Sequence, residues 1–510
     1  MRLLIVLGVL VVTCISAIAS TKSSGNDPRL AKAYRFERGG WVYLHLEGSP
    51  SAIGFQHGYL LTPEIEDAFK AVQLTNTRST ERNWEFFRKT AREVLWPHIE
   101  SEYRQELQGI ADGLKARGSK LDLYDIVALN AFEEVPDYYV PWLNKKEAVV
   151  NPPKLVAPGN CSAFIATGSY TKDGKIVIAH NNWTSYLHGE RWVVMFDIVP
   201  EHGNRMLMDG FPGVITSDDD FGVNSAGIMM TETTITQFKG FDPDGIPEFV
   251  RSRKALQYAN SIDDYVRIIK EGNNGGYAND WLIGDRKTNE IAYLELGLRN
   301  TPLWRSKDGY FVSSNFARDP QLIKEETDFD PENLSTSPNA RHVRWEELMK
   351  ENKGKIDVAM AQRFLSDHYD SHEKKEQPDE RTLCGHGDVS ARGIEVWEWN
   401  PYYPGGAVQG KATDSSMAGK MQLIARAGHP CGEDFKASDF LAQHPEYAWQ
   451  APLLRDMKAG PWTEFKSGDR ENAAAAETKQ RGVRVKLKPA TRQTPPEADP
   501  PPRAGKASGE

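Results

Sequence analysis

The sequence predicts an α+β protein with buried sheets, on three observations. The segment from Trp41 to Asn160 is mostly helical in character, and in its best-patterned piece Tyr103, Leu107, Ile110 and Leu114 fall on one stripe. After Pro152, Pro153 and Pro158 the chain turns to short runs of Val, Ile, Met and Phe punctuated by turn residues. Some of these, such as Ile176-Val177-Ile178-Ala179, are apolar on both faces, as in strands covered on two sides.

Taken in order, a helix is expected to open at Thr62-Pro63-Glu64, with threonine as the cap, proline at the first helical position and an acid near the positive end of the dipole. Strands are expected over Cys161 to Thr167, Lys175 to Asn181, Arg191 to Val199, Gly227 to Thr233, Trp281 to Asp285 and Ile291 to Leu296. Tyr170 to Gly174 and Asp285 to Asn289 read as hairpin turns, so the sheets are at least partly antiparallel. Helix returns from Lys254 to Glu271 and around Asp357 to Ser366.

At 510 residues, 39% hydrophobic and 26% charged, the chain has the composition of a globular protein rather than a disordered or fibrous one. The formal net charge of −9, with no basic run interleaved with aromatics, argues against a nucleic-acid partner. Residues 1–19 read as a secretory signal: Arg2, an apolar run from Leu3 to Val12, and Ala17-Ile18-Ala19 ahead of a polar stretch. That run is shorter than the roughly 20 residues of a membrane-spanning helix, so secretion or a periplasmic location without stable membrane insertion is expected. The organisation expected is a signal over 1–19, a mainly helical segment over 20–160, a catalytic segment over 161–466, and a disordered Ala/Pro-rich tail over 467–510.

Cys14 leaves with the signal, and Cys161, Cys384 and Cys431 remain. An oxidising compartment favours a bridge between Cys384 and Cys431. Unpaired thiols are one alternative. Zinc is another, since Cys384-Gly385-His386 and His429-Pro430-Cys431 offer two thiols and two imidazoles, although one-residue spacing is tighter than usual for zinc ligands.

Cys161 is then the lone thiol, in Gly159-Asn160-Cys161-Ser162-Ala163-Phe164 at the start of an apolar strand. If the Asn160-Cys161 bond breaks, Cys161 gains an α-amine with a pKa of about 7.7 to 8.0 beside its own sulfur, able to serve as its base. The plainer alternative is a buried cysteine acting as a small hydrophobe. No Gly-x-Ser-x-Gly elbow and no His-Glu-x-x-His motif occurs, which disfavours a serine lipase and a metallohydrolase.

Several motifs run in order along the chain: Cys161-Ser162-Ala163-Phe164, Ala179 to Tyr186, Phe211-Pro212-Gly213 with Ser217 to Phe221, Gly227 to Thr234, Arg251-Ser252-Arg253, Gly272 to Trp281, Asn315, Gly410 to Ser415 and Ala427 to Pro430. The series resembles the phospholipase B-like proteins, which are similar to the acyltransferase-like cysteine autoproteolytic (peptidase C45-type) enzymes among the N-terminal-nucleophile (Ntn) hydrolases. Each motif is weak alone, and their order is specific. The resemblance implies a four-layer αββα sandwich, with two stacked, largely antiparallel sheets between helical layers. It also implies a precursor cut at Asn160-Cys161 whose N-terminal chain stays associated.

By that resemblance Cys161 is the nucleophile, Asn279 an oxyanion donor, and His180 and Asn182 polar residues on the paired strand. Asp280 could orient the amine or Asn279, and its plainer reading is a turn or cap residue. Trp183 and Arg318 are candidates for substrate contact; the aromatic could equally be core, and the arginine a solvated surface residue. Asp218, Asp219 and Asp220 read as a solvated turn with one structural member. Asn182-Trp183-Thr184 is formally a glycosylation sequon, but it falls on a buried strand. The function implied is hydrolysis of an acyl amide or a lipid ester, with acyl transfer or non-catalytic lipid binding as alternatives; no cofactor is expected.

Overall fold

The computed structural model describes residues 27–153, 161–218 and 221–470. The expected signal, Asn160, Asp219, Asp220 and the tail from residue 471 lie outside the described residues. The elements below lie in the first of two contact units, which ends at Gly468; the second begins at Asp469.

The strands are β1 (Tyr34–Arg38), β2 (Trp41–Gly48), β3 (Ser162–Thr167), β4 (Val177–Ser185), β5 (Val194–Pro200), β6 (Met206–Gly210), β7 (Gly222–Asn224), β8 (Ile228–Thr234) and β9 (Asn279–Asp285). They continue with β10 (Glu290–Leu296), β11 (Leu303–Ser306), β12 (Gly309–Ser313), β13 (Tyr369–Asp370), β14 (Lys375–Glu376), β15 (Gly405–Asp414), β16 (Gln422–Ala427) and β17 (Thr463–Lys466). A nine-stranded sheet runs β1-β2-β5-β6-β7-β8-β9-β10-β11, a six-stranded sheet β12-β3-β4-β15-β16-β17, and β13 pairs with β14. Among the described residues these pairings are antiparallel except β2 with β5, which is parallel.

The six strands anticipated are present within a few residues, each built on a largely buried run bounded by turns. The expected hairpins are also formed: β3 pairs with β4 and β9 with β10, the latter closing at Asp285 opposite Glu290. Three expectations are corrected. The stretch opening at Trp41 is strand β2, not helix: Trp41 to Leu46 are six successive buried residues, a run whose period does not separate strand from helix. Thr62 does not cap a helix. The helix Pro50–Leu60 runs directly into Thr62–Thr80 with Leu61 at the cap position, and the Thr62 hydroxyl donates to the Gly58 carbonyl at 2.6 Å. Helix over 254–271 is divided, with Glu248–Tyr258 and Ile262–Lys270 separated at Ala259 and Ser261 capping the second.

Side-chain burial follows the alternation of each strand. Leu44, Met230, Trp281 and Ile283 of the nine-stranded sheet pack against helical residues Ile65, Leu107, Ile110 and Leu256. Their neighbours Tyr43, Met229 and Leu282 face Ile165, Ile178 and Leu423 of the six-stranded sheet. The far side of that second sheet, Phe164, Val177 and Ala412, packs against Trp345 and Phe364 from helices Ser337–Glu351 and Val358–Leu365. Each such buried large side chain contributes roughly 1.5–3 kcal/mol, before the entropy of ordering. The architecture is therefore α+β with two large sheets in face contact, compatible with a sandwich.

The helical layer depends on the close approach of two helices at glycines of both. A Cβ at Gly54 would lie 1.9 Å from the Glu106 carbonyl oxygen, so helices Pro50–Leu60 and Ser101–Ala116 touch backbone to backbone only with glycine there. No described helix is long and apolar enough to cross a membrane.

Candidate active site

Cys161 stands immediately before β3, which lies inside the six-stranded sheet between β12 and β4. The residue is 1% exposed. Its carbonyl accepts a hydrogen bond from Arg341 Nη1 at 2.6 Å. Arg341 sits one turn into helix Ser337–Glu351, fully buried, and donates also to Asn315 Oδ1 at 2.8 Å and Ser337 Oγ at 3.1 Å. Its guanidinium lies over the Trp183 ring at 4.5 Å. Burial lowers its pKa to about 9, so it is still a cation at neutral pH. The next residue is fixed as well: Trp345 Nε1 donates to Ser162 Oγ at 2.8 Å.

Across from the thiol, ligating atoms of Cys161, His180 and Glu232 all lie within 4.8 Å of one another. His180 comes from β4, opposite Ala163 in the register, and Glu232 from β8 of the other sheet. The cluster therefore draws on both sheets. Burial, then the charge of Lys411, holds the His180 pKa well below its usual value, so the ring is neutral. Lys411 is opposite His180 on β15 and pairs with Asp209 of β6 at 2.9 Å, both side chains at zero exposure.

Asn279 and Asp280, adjacent on β9, point to opposite faces. Asn279 shares the face of Trp281 and Ile283 and is paired with Thr234, which places it diagonally from Glu232. Its side-chain amide is fully buried, and neither Oδ1 nor Nδ2 has a hydrogen-bond partner among the described residues. Asp280 shares the face of Leu282, toward the second sheet, and accepts from Ser313 Oγ at 2.9 Å. Burial, and next the nearby Glu295, raises its pKa well above the usual carboxylate range. A turn or cap role for Asp280 is thus replaced by a buried strand position.

Asn182 is buried on β4 two residues beyond His180, and its Nδ2 has no partner among the described residues. Trp183 is at zero exposure in a cluster with Trp397 and Tyr186, donates to the Leu383 carbonyl at 3.2 Å, and so is core. Arg318 is exposed, with its guanidinium 6.0 Å from the Tyr293 ring. Asp218 is buried rather than solvated, with φ +69°. The expected bridge is absent: Cys384 and Cys431 are free cysteines. A cavity of about 810 Å³ is lined by Thr75, Ser185, His188, Tyr403 and Tyr447 among others, and Cys161 is not in its wall.

Glu232 and Arg341 were not singled out from the sequence. Glu232 had a signal, a carboxylate inside an expected strand, where burial demands a partner or a function. Arg341 had none, because a helix arginine is ordinarily solvated.

A thiol at the head of an internal strand, with an imidazole and a carboxylate converging on it from two sheets, defines an α+β protein with a candidate nucleophile site. Comparison with known proteins adds a likeness in sequence. Residues 51–296 match the Phospholipase B family model, and this part of the chain is phospholipase B-like in sequence. Phospholipase B-like 1 of Bos taurus is 26% identical over 292 residues, 49% of this chain and 52% of that protein. Phospholipase B-like protein F of Dictyostelium discoideum is 28% identical over 177 residues, 32% of this chain and 31% of that protein. An uncharacterized protein of Archaeoglobus fulgidus is 26% identical over 284 residues, 53% of this chain and 45% of that protein. The matched stretches span about half or less of these relatives.

Proposed function

We propose that the protein is an exported, self-processing cysteine hydrolase of the N-terminal-nucleophile type that cleaves an acyl amide or acyl ester through a thioester on Cys161. The observation that carries this reading is the convergence of Cys161, His180 and Glu232 within 4.8 Å at the head of β3, with the Cys161 carbonyl held by Arg341. The succession of helices, sheet, sheet and helices in the apolar packing supports an αββα arrangement. The signal-like residues 1–19 support export.

In self-processing, Cys161 Sγ attacks the Asn160 carbonyl carbon; the C–N bond breaks, a thioester forms and the nitrogen takes the thiol proton. Water then opens the thioester, leaving Asn160 with a carboxylate and Cys161 with a free α-amine. At 1% exposure the thiol is closed to external substrate, which fits a chain cut before it meets one. In turnover the amine accepts the thiol proton, the sulfur attacks the acyl carbonyl, and the proton passes to the leaving amine or alcohol. Water completes the cycle. The Asn279 amide, without a partner among the described residues, is the candidate donor to the oxyanion.

The names of the relatives favour a phospholipid ester, and an acyl amide suits the same chemistry. Acyl transfer would differ in the acceptor that resolves the thioester. The same triangle favours a second reading, in which neutral His180 is the base and no cut is needed.

The test is acid quenching of the purified protein during incubation with an N-acyl amino acid or a lysophospholipid, followed by peptide mass analysis. An acyl adduct on the Cys161 peptide, absent from Cys161→Ala, is expected with at least one substrate. No adduct and no product with either would contradict the hydrolase reading and favour non-catalytic lipid binding.

A further inference from the structure

The two thiols expected to bridge take part in a different arrangement. Ligating atoms of His368, Cys384, His386 and Cys431 all lie within 4.8 Å of one another. His368 follows helix Val358–Leu365, Cys384 and His386 lie in the loop beyond β14, and Cys431 lies in the loop after β16. His386 Nε2 is 3.2 Å from His368 Nε2 and 3.7 Å from each of the two sulfurs. One ring nitrogen can make only one good hydrogen bond, yet three partners converge on it. For a tetrahedral cation with Zn–S of about 2.3 Å and Zn–N of about 2.05 Å, the edges are about 3.3 Å between nitrogens and about 3.6 Å between sulfur and nitrogen. The observed separations match these edges.

We propose that His368, Cys384, His386 and Cys431 form a structural zinc site. Two thiolates and two imidazoles fill all four tetrahedral positions, leaving none open for water, so the site is structural rather than catalytic. His429, the imidazole that sequence spacing offered, lies outside the cluster of ligating atoms; its Nδ1 is 2.6 Å from the Ala407 carbonyl oxygen, and its ring stacks on His386 at 4.1 Å. Outer contacts hold the ligand loops together. The Cys384 N–H donates to the Asp367 carbonyl at 3.0 Å, and Ser366 Oγ donates to the Pro430 carbonyl at 2.8 Å.

The ligand loop is also bound to the strand that carries His180. Asn181 Nδ2 donates to the carbonyls of Leu365 and Leu383 at 2.8 and 2.9 Å, and Trp183 Nε1 donates to Leu383. Gly385, between the two ligands, is pressed on Trp183 so closely that a Cβ would fall 1.8 Å from its ring. A metal there ties the Cys431 loop to two segments that are themselves bound to β4.

The experiment uses the full chain purified after expression with zinc supplied, and its readouts do not depend on enzymatic activity or on the role of Cys161. Elemental mass spectrometry is expected to find about one zinc per chain. Cobalt exchanged into the site is expected to give the visible bands of a tetrahedral thiolate complex. Cys431→Ser and His368→Gln should each weaken zinc retention against a chelator by about tenfold or more, whereas His429→Gln keeps it. Should a variant fail to fold, the wild-type cobalt spectrum and a fall in Tm on chelation decide the matter. Metal-free wild-type protein with Cys384 and Cys431 bridged would overturn the proposal, as would both thiols titrating freely in excess Zn2+.

Discussion

Arg341 Nη1 donates to the carbonyl of Cys161 at 2.6 Å, from a helix 180 residues further along the chain, and so fixes the backbone of the candidate nucleophile from below its strand. Arg341→Met removes the donor from the Cys161 carbonyl and from Asn315 Oδ1, and each buried acceptor left unpaired costs about 1–3 kcal/mol. Urea unfolding should show the loss. Processing before Cys161 should slow on the order of a hundredfold if the backbone shifts by about an ångström. Arg341→Lys restores the charge but not the fork of donors, and should recover only part. Wild-type stability and processing in Arg341→Met would remove the positioning role.

Lys411 and Asp209 join the two sheets beside His180 at zero exposure. Lys411→Met strands a buried carboxylate and is expected to destabilise by about 3–5 kcal/mol, while Lys411→Met with Asp209→Leu should regain most of it. A double-mutant cycle in denaturant measures the coupling. Equal losses in the single and double variants would contradict the pairing.

His57 sets an acid limit on stability. It is buried, its Nε2 accepts the Gly213 N–H at 3.0 Å, and burial, then the charge of Arg253, lowers its pKa to about 3. Unfolded, the ring takes its proton near the ordinary value of about 6.5. Between those values the unfolded chain binds the extra proton, so stability is full above about 6.5 and is lost as pH falls toward about 3, by about 5 kcal/mol in all. His57→Gln should flatten the pH dependence of the unfolding free energy by about one proton over that window. An unchanged slope would show that His57 does not titrate there.

The base and the oxyanion donor separate kinetically. If the Cys161 amine is the base, kcat/KM should rise with an apparent pKa of about 7.7 to 8.0, and His180→Asn should keep that limb. Loss of the limb in His180→Asn would transfer the role to the imidazole. Asn279→Ala should lower kcat by about a hundred- to a thousandfold with little change in KM, and an unchanged kcat would remove it from the oxyanion site.

Much of this was legible in the sequence where a single physical rule governs. The strands β3, β4, β8, β9 and β10 are largely buried runs bounded by turns, and Cys161 and His180 stand in motifs that the sequence singled out. Pairing across sheets was not legible, because period-2 patterning places a side chain on a face without naming the strand it meets. Glu232 and Arg341 belong to that category, as does the separation of Asn279 from Asp280 onto opposite faces. β2 was missed because six successive buried residues carry no alternation. The metal-type cluster was misassigned for a related reason: spacing suggested His429, whereas folding brings His368 to the thiols from another loop.

The central claim is that Cys161 becomes an N-terminal nucleophile. Intact mass and N-terminal sequencing of the purified full chain, beside Cys161→Ala, test it most directly. Two associated fragments, one beginning at Cys161, with the variant left whole, are the predicted result. A single uncut chain in both samples after prolonged incubation would contradict it.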